Sequence, residues 1–314
     1  MDVCVLGRIG YDLYALDHGR PLAEVERFSR HLGGSSANIA VGLARLGHDV
    51  GIVSSVGADA LADYLLAFLQ SEKVDTRFVR RVPGYNTSLC LTEVSPPDRF
   101  PQVFYRRDPA DARVEVGPAE LAAVRAARLF VTNGTSLAAS PAREATRAAL
   151  RAAREAGART VLDVDYRASS WPSPPAAGEQ ARRALPFVDV VLGNEDEIAL
   201  LTGQSDPGRQ VSAVLGAGVG LLVRKLGARG VETHTREESI SVPPLPVPVV
   251  STIGAGDAFA AGFLDGLLRG RPLAECLRAG NAAAAIVVGR VSCSDAMPYR
   301  HEIEELLRTA PAPD

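Results

Sequence analysis

Residues 249–268 carry the densest set of groups able to do chemistry. Val249 and Val250 run into Ser251-Thr252, then Gly254-Ala255-Gly256-Asp257, then a helical stretch with Phe259, Phe263 and Leu267 on one face. Small residues at 254–256 let the backbone turn tightly and let a ligand come close to it. At a helix N-terminus the N–H groups are unpaired and, with the helix dipole, favour an anion. A carboxylate one residue further on stands beside that anion, where it suits proton abstraction from a hydroxyl as a phosphoryl group arrives. Alone, the same residues also read as a glycine turn followed by a first-turn helix acid. Neither a G-x-x-x-x-G-K-[ST] loop nor a G-x-G-x-x-G fingerprint accounts for the segment.

The elements that must position this loop follow from the pattern of apolar residues. With 314 residues, 46% hydrophobic and 23% charged, the chain is long enough to bury a sizeable core. From about residue 120 onward, short β-branched runs (128–133, 160–165, 188–193, 220–225) alternate with helical stretches (141–156, 176–185). The runs show little polar alternation, as strands buried on both faces do. Such alternation implies right-handed crossovers and a three-layer α/β/α sandwich with a mostly parallel central sheet. The first 115 residues differ. Residues 3–7 form a first strand of the same sheet, 36–46 a Gly/Ala-rich helix closed by Gly47, 50–56 a strand and 60–70 an amphipathic helix. The polar, strand-like insertions at about 8–30 and 87–114 have no helix of their own and are expected to pair as a small β-sheet lid on a single domain, 1–314. Residues 242–248 read as a Pro-rich linker leading into the loop.

Net charge of −3 offers no basic face for nucleic acid or an anionic membrane. The start, Met1-Asp2-Val3-Cys4-Val5, reads as a strand rather than a signal peptide, and no apolar run is long enough for a bilayer. Cys4, Cys90, Cys276 and Cys293 include no C-x-x-C pair and read as buried reduced thiols, so a cytoplasmic protein is expected.

Residues 252–263, TIGAGDAFAAGF, resemble the C-terminal signature of the ribokinase-like (PfkB) carbohydrate kinases. Residues 33–47, GGSSANIAVGLARLG, resemble that family's other signature, about 220 residues earlier and in the right order. The resemblance implies an ATP-dependent sugar kinase with Asp257 as catalytic base and the backbone of Gly254, Ala255 and Gly256 as anion hole. It implies further that Gly34 and Asn38 line the sugar pocket and that Asp12, which also reads as a surface acid, binds sugar hydroxyls. Asn194-Glu195-Asp196-Glu197 resembles the family's N-x-x-E motif, which places water-bound Mg²⁺ against the nucleotide through Asn194 and Glu197; it reads equally as a helix N-cap with first-turn acids. Lys225, Gly227 and Gly230 match the turn over the ATP phosphates and adenine, and Asn281 an adenine-side position. The family signature begins with Asp, which helps hold a monovalent cation; Ser251 stands there, so K⁺ dependence is left open.

Residues 104–110 (FYRRDPA) and 163–171 (DVDYRASSW) resemble segments shared by the family's acid-sugar kinases, those of 2-keto-3-deoxygluconate and 5-dehydro-2-deoxygluconate. Arginine reads a carboxylate through a planar fork that neutral sugars do not need, which makes Arg106 and Arg167 the candidates for the substrate carboxylate, against plain surface ion pairing. Residues 7–14, 20–22, 140–144 and 292–298 resemble the second group more, which would place the chain in myo-inositol catabolism. A 2-keto-3-deoxygluconate kinase, a fructokinase-like enzyme and a non-catalytic sugar or nucleotide sensor are the alternatives. The family resemblance also suggests a homodimer that buries the outer face of the lid.

Overall fold

The computed structural model describes residues 1–96 and 99–309; residues 97 and 98 of the second insertion and the last five of the chain lie outside the described residues. The elements run in chain order as β1 Val3–Leu6, β2 Gly10–Ala15, β3 Phe28–Gly33, α1 Ser35–Arg45, β4 Val50–Gly57, α2 Ala60–Ser71, β5 Val79–Val82, β6 Ser88–Thr92 and β7 Gln102–Tyr105. Then come α3 Pro118–Ala126, β8 Leu129–Asn133, α4 Ala142–Glu155, β9 Arg159–Asp163, α5 Pro174–Ala184, β10 Val190–Asn194, α6 Glu195–Thr202, α7 Pro207–Gly216 and β11 Leu221–Lys225. The chain finishes with β12 Val231–His234, β13 Ser239–Val242, α8 Ala255–Leu268, α9 Leu273–Val288 and α10 Arg300–Thr309.

The large sheet has the order β13-β12-β11-β10-β9-β8-β1-β4-β5, parallel from β11 to β5 with an antiparallel pair at the β13 edge. Its strands are buried on both faces, and the period-2 geometry sorts their side chains into two cores. Val3 and Val5 of β1 pack with residues of α1, α2, α8 and α9, while Cys4 and Leu6 pack with residues of α3, α4 and α5 on the other side. This is the three-layer arrangement expected. The four cysteines are buried and free. Among the described residues no helix is long and apolar enough to cross a membrane.

The two insertions do form a second sheet, in the order β3-β2-β6-β7. They also contain short 3₁₀ turns at Leu22–Glu24 and Ala110–Arg113, which the strand-like pattern did not announce. Register puts Asp12, Tyr14, His31, Cys90 and Phe104 on one face of this sheet and Leu13, Leu91, Val103 and Tyr105 on the other. Val103 and Tyr105 are exposed.

Two helices decide where the loop before α8 sits. Helix α1 crosses α8 where a Cβ on Gly42 would lie 2.6 Å from Cβ of Ala261, so only a glycine lets the helices come this close. One turn earlier on each helix stand Asn38 and Asp257, on the same faces, because residues four apart share a helix side. Helix α9 packs against the other flank of α8, where Cβ atoms on Gly262 and Gly280 would strike the Ala279 carbonyl and the Phe259 ring. Gly42→Val should therefore wedge α1 from α8 and lower stability by about 1–3 kcal/mol, read from urea melts. It should also weaken the pairing of Asn38 with Asp257 one turn above, which an NMR or activity measurement on the folded variant would register.

Candidate functional site

The parallel strands all end on the side of the sheet where open α/β folds bind ligands. Beyond β1 lies Arg8, beyond β9 come Asp163, Asp165 and Arg167, at the end of β10 Asn194 and Glu197, and at the end of β11 Lys225 and Gly227. The start of α8 faces the same space.

Gly254 is the N-cap of α8 in the left-handed region, φ 84°, and a Cβ there would meet Cys293 at 3.1 Å. Asp257 sits in the first helical turn, and its carboxylate accepts from Ser35 Oγ at 2.8 Å and from Asn38 Nδ2 at 2.7 Å. Asn38 is itself held, since its Oδ1 accepts from Ser294 Oγ at 2.6 Å. Burial pushes the Asp257 carboxyl up, with the Asp165 charge adding to it, while the two hydrogen bonds and Arg167 oppose the rise. Asp257 is thus an anchored carboxylate of raised basicity in the first turn of a helix whose unpaired N–H groups favour an anion.

One cavity of about 460 Å³ opens in front of it, lined by polar groups including Asp163, Asp165, Arg167, Asn194, Glu197 and Lys225. Lys225 Nζ lies 3.1 Å from both oxygens of buried Asp163 and borders Gly256, 3.5 Å from where a Cβ on that residue would stand. Burial works against the Lys225 ammonium, but Asp163, Glu197 and Asp257 together outweigh it and hold the group above the usual lysine range. Arg167 Nε faces Asp165 Oδ1 at 3.0 Å. Asn194 caps α6 through its Oδ1, which accepts from the Glu197 N–H at 2.8 Å, while the Glu197 carboxylate accepts from the N–H groups of Asn194 and Tyr166. The pair thus caps a helix and also lines the cavity.

The donors here are hard oxygens, and Asp165 Oδ2 is buried without a hydrogen-bond partner. Among the described residues no three acidic, histidine or cysteine side chains cluster tightly enough to hold an ion directly. That set fits a Mg²⁺ ion keeping most of its own waters better than a protein-caged metal. Ser251, at the position where a cation-binding acid was sought, is buried, with its Oγ accepting from the Ile253 N–H at 3.3 Å.

A second, apolar cavity of about 550 Å³ adjoins the first, sharing Lys225, Gly227, Thr252 and Gly256 with it. Gly230, with φ 90°, lines it and has no room for a side chain, as a Cβ would sit 2.2 Å from the Val242 carbonyl oxygen. Asn281 is also on its wall, with Nδ2 donating to the Pro243 carbonyl at 2.8 Å. The Pro-rich run 244–247 is thus not a bare linker but one side of this cavity.

A third recess, on the side of the small sheet, brings Asp12, Gly34 and Asn38 to Asp257, together with Arg8, Phe104 and Arg167. Gly33 and Gly34 make the room: a Cβ on Gly33 would overlap the Asp12 carboxylate at 2.1 Å, and one on Gly34 would strike the Arg8 carbonyl oxygen at 2.5 Å. The segment 292–295 closes the recess from behind. Cys293 Sγ is 2.9 Å from Tyr14 OH of β2, His31 Nδ1 of β3 is 2.6 Å from Asp295, and Ser294 Oγ, which shares its one proton with Asn38, lies 2.9 Å from the Leu32 carbonyl oxygen.

Arg106 departs from expectation. Its guanidinium is claimed by buried Asp111 and by Ser170 Oγ at 2.8 Å, and it borders a separate cavity of about 280 Å³ with Thr135 and Ser169 rather than the space around Asp257. A buried carboxylate five residues away in sequence already pairs with it. Conversely, Arg8, Ser35, Asp163 and Asp165 are at the site without having been singled out. Asp163 and Asp165 at alternate positions beside Arg167, at the end of an apolar strand, were the available signal; Arg8, two residues past β1, carried none of its own.

Asp12 is 5% exposed, and burial pushes its carboxyl up to about 6, an effect that Arg8, His31 and Arg167 only partly offset. The folded state then holds the proton more tightly than the unfolded state. Stability due to this group is complete below the ordinary carboxylate range and is lost as pH rises through about 6. Asp12→Asn should accordingly stabilise the protein by about 1–3 kcal/mol at about pH 8 and have little effect at about pH 4, as compared in urea melts at the two pH values.

Residues 1–300 match the family model described as pfkB family carbohydrate kinase. A 5-dehydro-2-deoxygluconokinase of Shouchella clausii (strain KSM-K16) is 34% identical over 310 residues, covering 98% of this chain and 95% of its own. Among solved structures, a PfkB protein from Polaromonas sp. JS666 is similar with a TM-score of 0.85 at 29% identity, covering 97% of this chain and 99% of its own. A fructokinase with bound ATP from Xylella fastidiosa is similar with a TM-score of 0.87 at 26% identity, covering 98% of each.

Proposed function

The chain belongs to the pfkB family of carbohydrate kinases, and from that premise we propose that it transfers the γ-phosphoryl group of ATP to the terminal C6 hydroxyl of 5-dehydro-2-deoxy-D-gluconate. The observation that carries the reading is the Asp257 carboxylate, anchored by Ser35 and Asn38 where a polar cavity, an apolar cavity and the Asp12 recess meet.

In this reading Asp257 takes the proton of the attacking hydroxyl. A carboxylate whose affinity for a proton is raised by burial is a better base than one in water, and its two donors hold it in a single orientation. The first-turn amides of α8, from Gly254 to Gly256, receive the phosphate oxygens as charge develops, with the Lys225 ammonium beside them. The adenine side of ATP lies in the apolar cavity against Gly227, Gly230 and Asn281, where a flat apolar ring gains from leaving water. Asn194 and Glu197, with Asp165, would hold Mg²⁺ through its waters, and the ion would neutralise charge on the phosphate oxygens. Asp12, Gly34 and Asn38 contact the sugar, and Arg167 lies in reach of an acid group. The small sheet acts as a lid that keeps water from taking the phosphoryl group.

Two features support an acid sugar: arginine on the recess wall, and the Shouchella clausii relative named for that substrate. No monovalent cation is part of the proposal, because Ser251 brings no charge. The exposed Val103 and Tyr105 on the outer face of the small sheet support a homodimer formed through the lids, since an apolar sheet face gains from a second copy.

A coupled ADP-release assay tests the substrate. 5-Dehydro-2-deoxy-D-gluconate should give the highest kcat/KM in a panel with 2-keto-3-deoxygluconate and fructose. Preference for either of the others would displace it, and binding without ADP release throughout would point to a sensor. Asp257→Asn should fold with a normal melting temperature and lose kcat by roughly 10²–10⁴-fold, so near-normal turnover would remove Asp257 from its role.

A further inference from the structure

Arg8 emerges directly from β1 and is 7% exposed, with its guanidinium carbon 5.8 Å from the Phe104 ring centre. It lines the recess that also holds Asp12 and Asp257. The other cation on these walls, Arg167, is already matched by Asp165, as Lys225 of the adjoining polar cavity is by Asp163. Among the described residues Arg8 has no carboxylate at ion-pair distance. The Asp12 charge acts on it only from beyond contact distance, and a buried guanidinium so weakly matched gains from a ligand anion.

Its neighbour is unsatisfied in the complementary sense. Asp12 Oδ1 is buried with no hydrogen-bond donor. Both groups flank Gly10: a Cβ there would lie 3.5 Å from Arg8 Nη1 and 3.8 Å from Asp12 Oδ1. One end of the recess thus offers a free guanidinium fork beside a free carboxylate oxygen, which is the pattern needed by a ligand carrying a carboxylate next to a hydroxyl-bearing carbon chain. Arg106, by contrast, is bound to Asp111.

We propose that Arg8 is the residue that reads the carboxylate of the sugar acid, with Asp12 accepting from a neighbouring hydroxyl. The inference rests on the acid-sugar reading above and goes beyond it by naming the group that makes the discrimination. Arg167 then serves mainly to hold the Asp165 carboxylate in place near Asp257.

The test compares wild type, Arg8→Gln and Arg8→Lys at saturating ATP, with 5-dehydro-2-deoxy-D-gluconate and with its uncharged C1 amide. Arg8→Gln should raise KM for the acid roughly 10- to 100-fold while the amide's KM moves little. Arg8→Lys, which keeps the charge and loses the fork, should fall between. Equal losses on acid and amide, or an unchanged KM for the acid in both variants, would overturn the assignment. Thermal melts accompany the kinetics, and if Arg8→Gln does not fold, the acid-to-amide ratio in Arg8→Lys decides by the same criterion. A wild-type enzyme that turns over the acid while the variants are unimpaired refutes Arg8 alone. A wild type that turns over only neutral sugars refutes the acid-sugar reading, and this inference with it.

Discussion

A carboxylate taken out of water must be given donors or it will not stay ionised, and the arrangement of helices around Asp257 answers that demand. Its two donors come from Ser35 and Asn38, both in the first turn of α1, more than 200 residues away in sequence. They reach it only because α1 and α8 approach until Gly42 touches Ala261. Ser294 then fixes the Asn38 amide from its far side. The glycines of α1 and of the α8–α9 contact are therefore as much part of the chemistry as Asp257, since each sets a distance on which the carboxylate's protonation depends.

Charge in the rest of the site is arranged in matched pairs rather than as a uniform field. Asp163 faces Lys225 and Asp165 faces Arg167, both at the end of one strand. These pairs keep cations in a space that several carboxylates would otherwise make hostile to a polyphosphate. The second pair leaves Asp165 Oδ2 spare, and Asp12 Oδ1 in the recess is unpartnered as well. Spare buried atoms of this kind mark where a protein expects something other than itself.

The sandwich was legible because strands buried on both faces leave continuous apolar runs, and element bounds shifted by only one or two residues. Glycines were legible where two motifs surround them. Side-chain orientation was less so. Arg106 and Arg167 read alike in sequence, each an arginine in a polar segment, yet Asp111 turns one away while Asp165 holds the other at the cavity wall. That difference depends on which carboxylate lies nearest in three dimensions, which spacing along the chain does not encode. Arg8 escaped notice for a related reason: a single arginine after a strand has no pattern, and its meaning comes from Gly34 pressing on its carbonyl. The Pro-rich run before α8 read as a linker because proline marks the end of regular structure, whereas its apolar rings make one wall of a cavity.

The small sheet and the segment 292–295 share several ties, from Tyr14 to Cys293, from His31 to Asp295 and from the Leu32 carbonyl to Ser294. The same segment presses Cys293 against Gly254 and steadies Asn38. The sheet is thus not hung from the core by its strand ends alone; it is riveted to the segment that backs the turn before α8. A swing of the sheet would therefore move Tyr14 and, through Cys293, press on the backbone at Gly254 where α8 begins. The lid and the turn before α8 share a hinge pin, not merely a border.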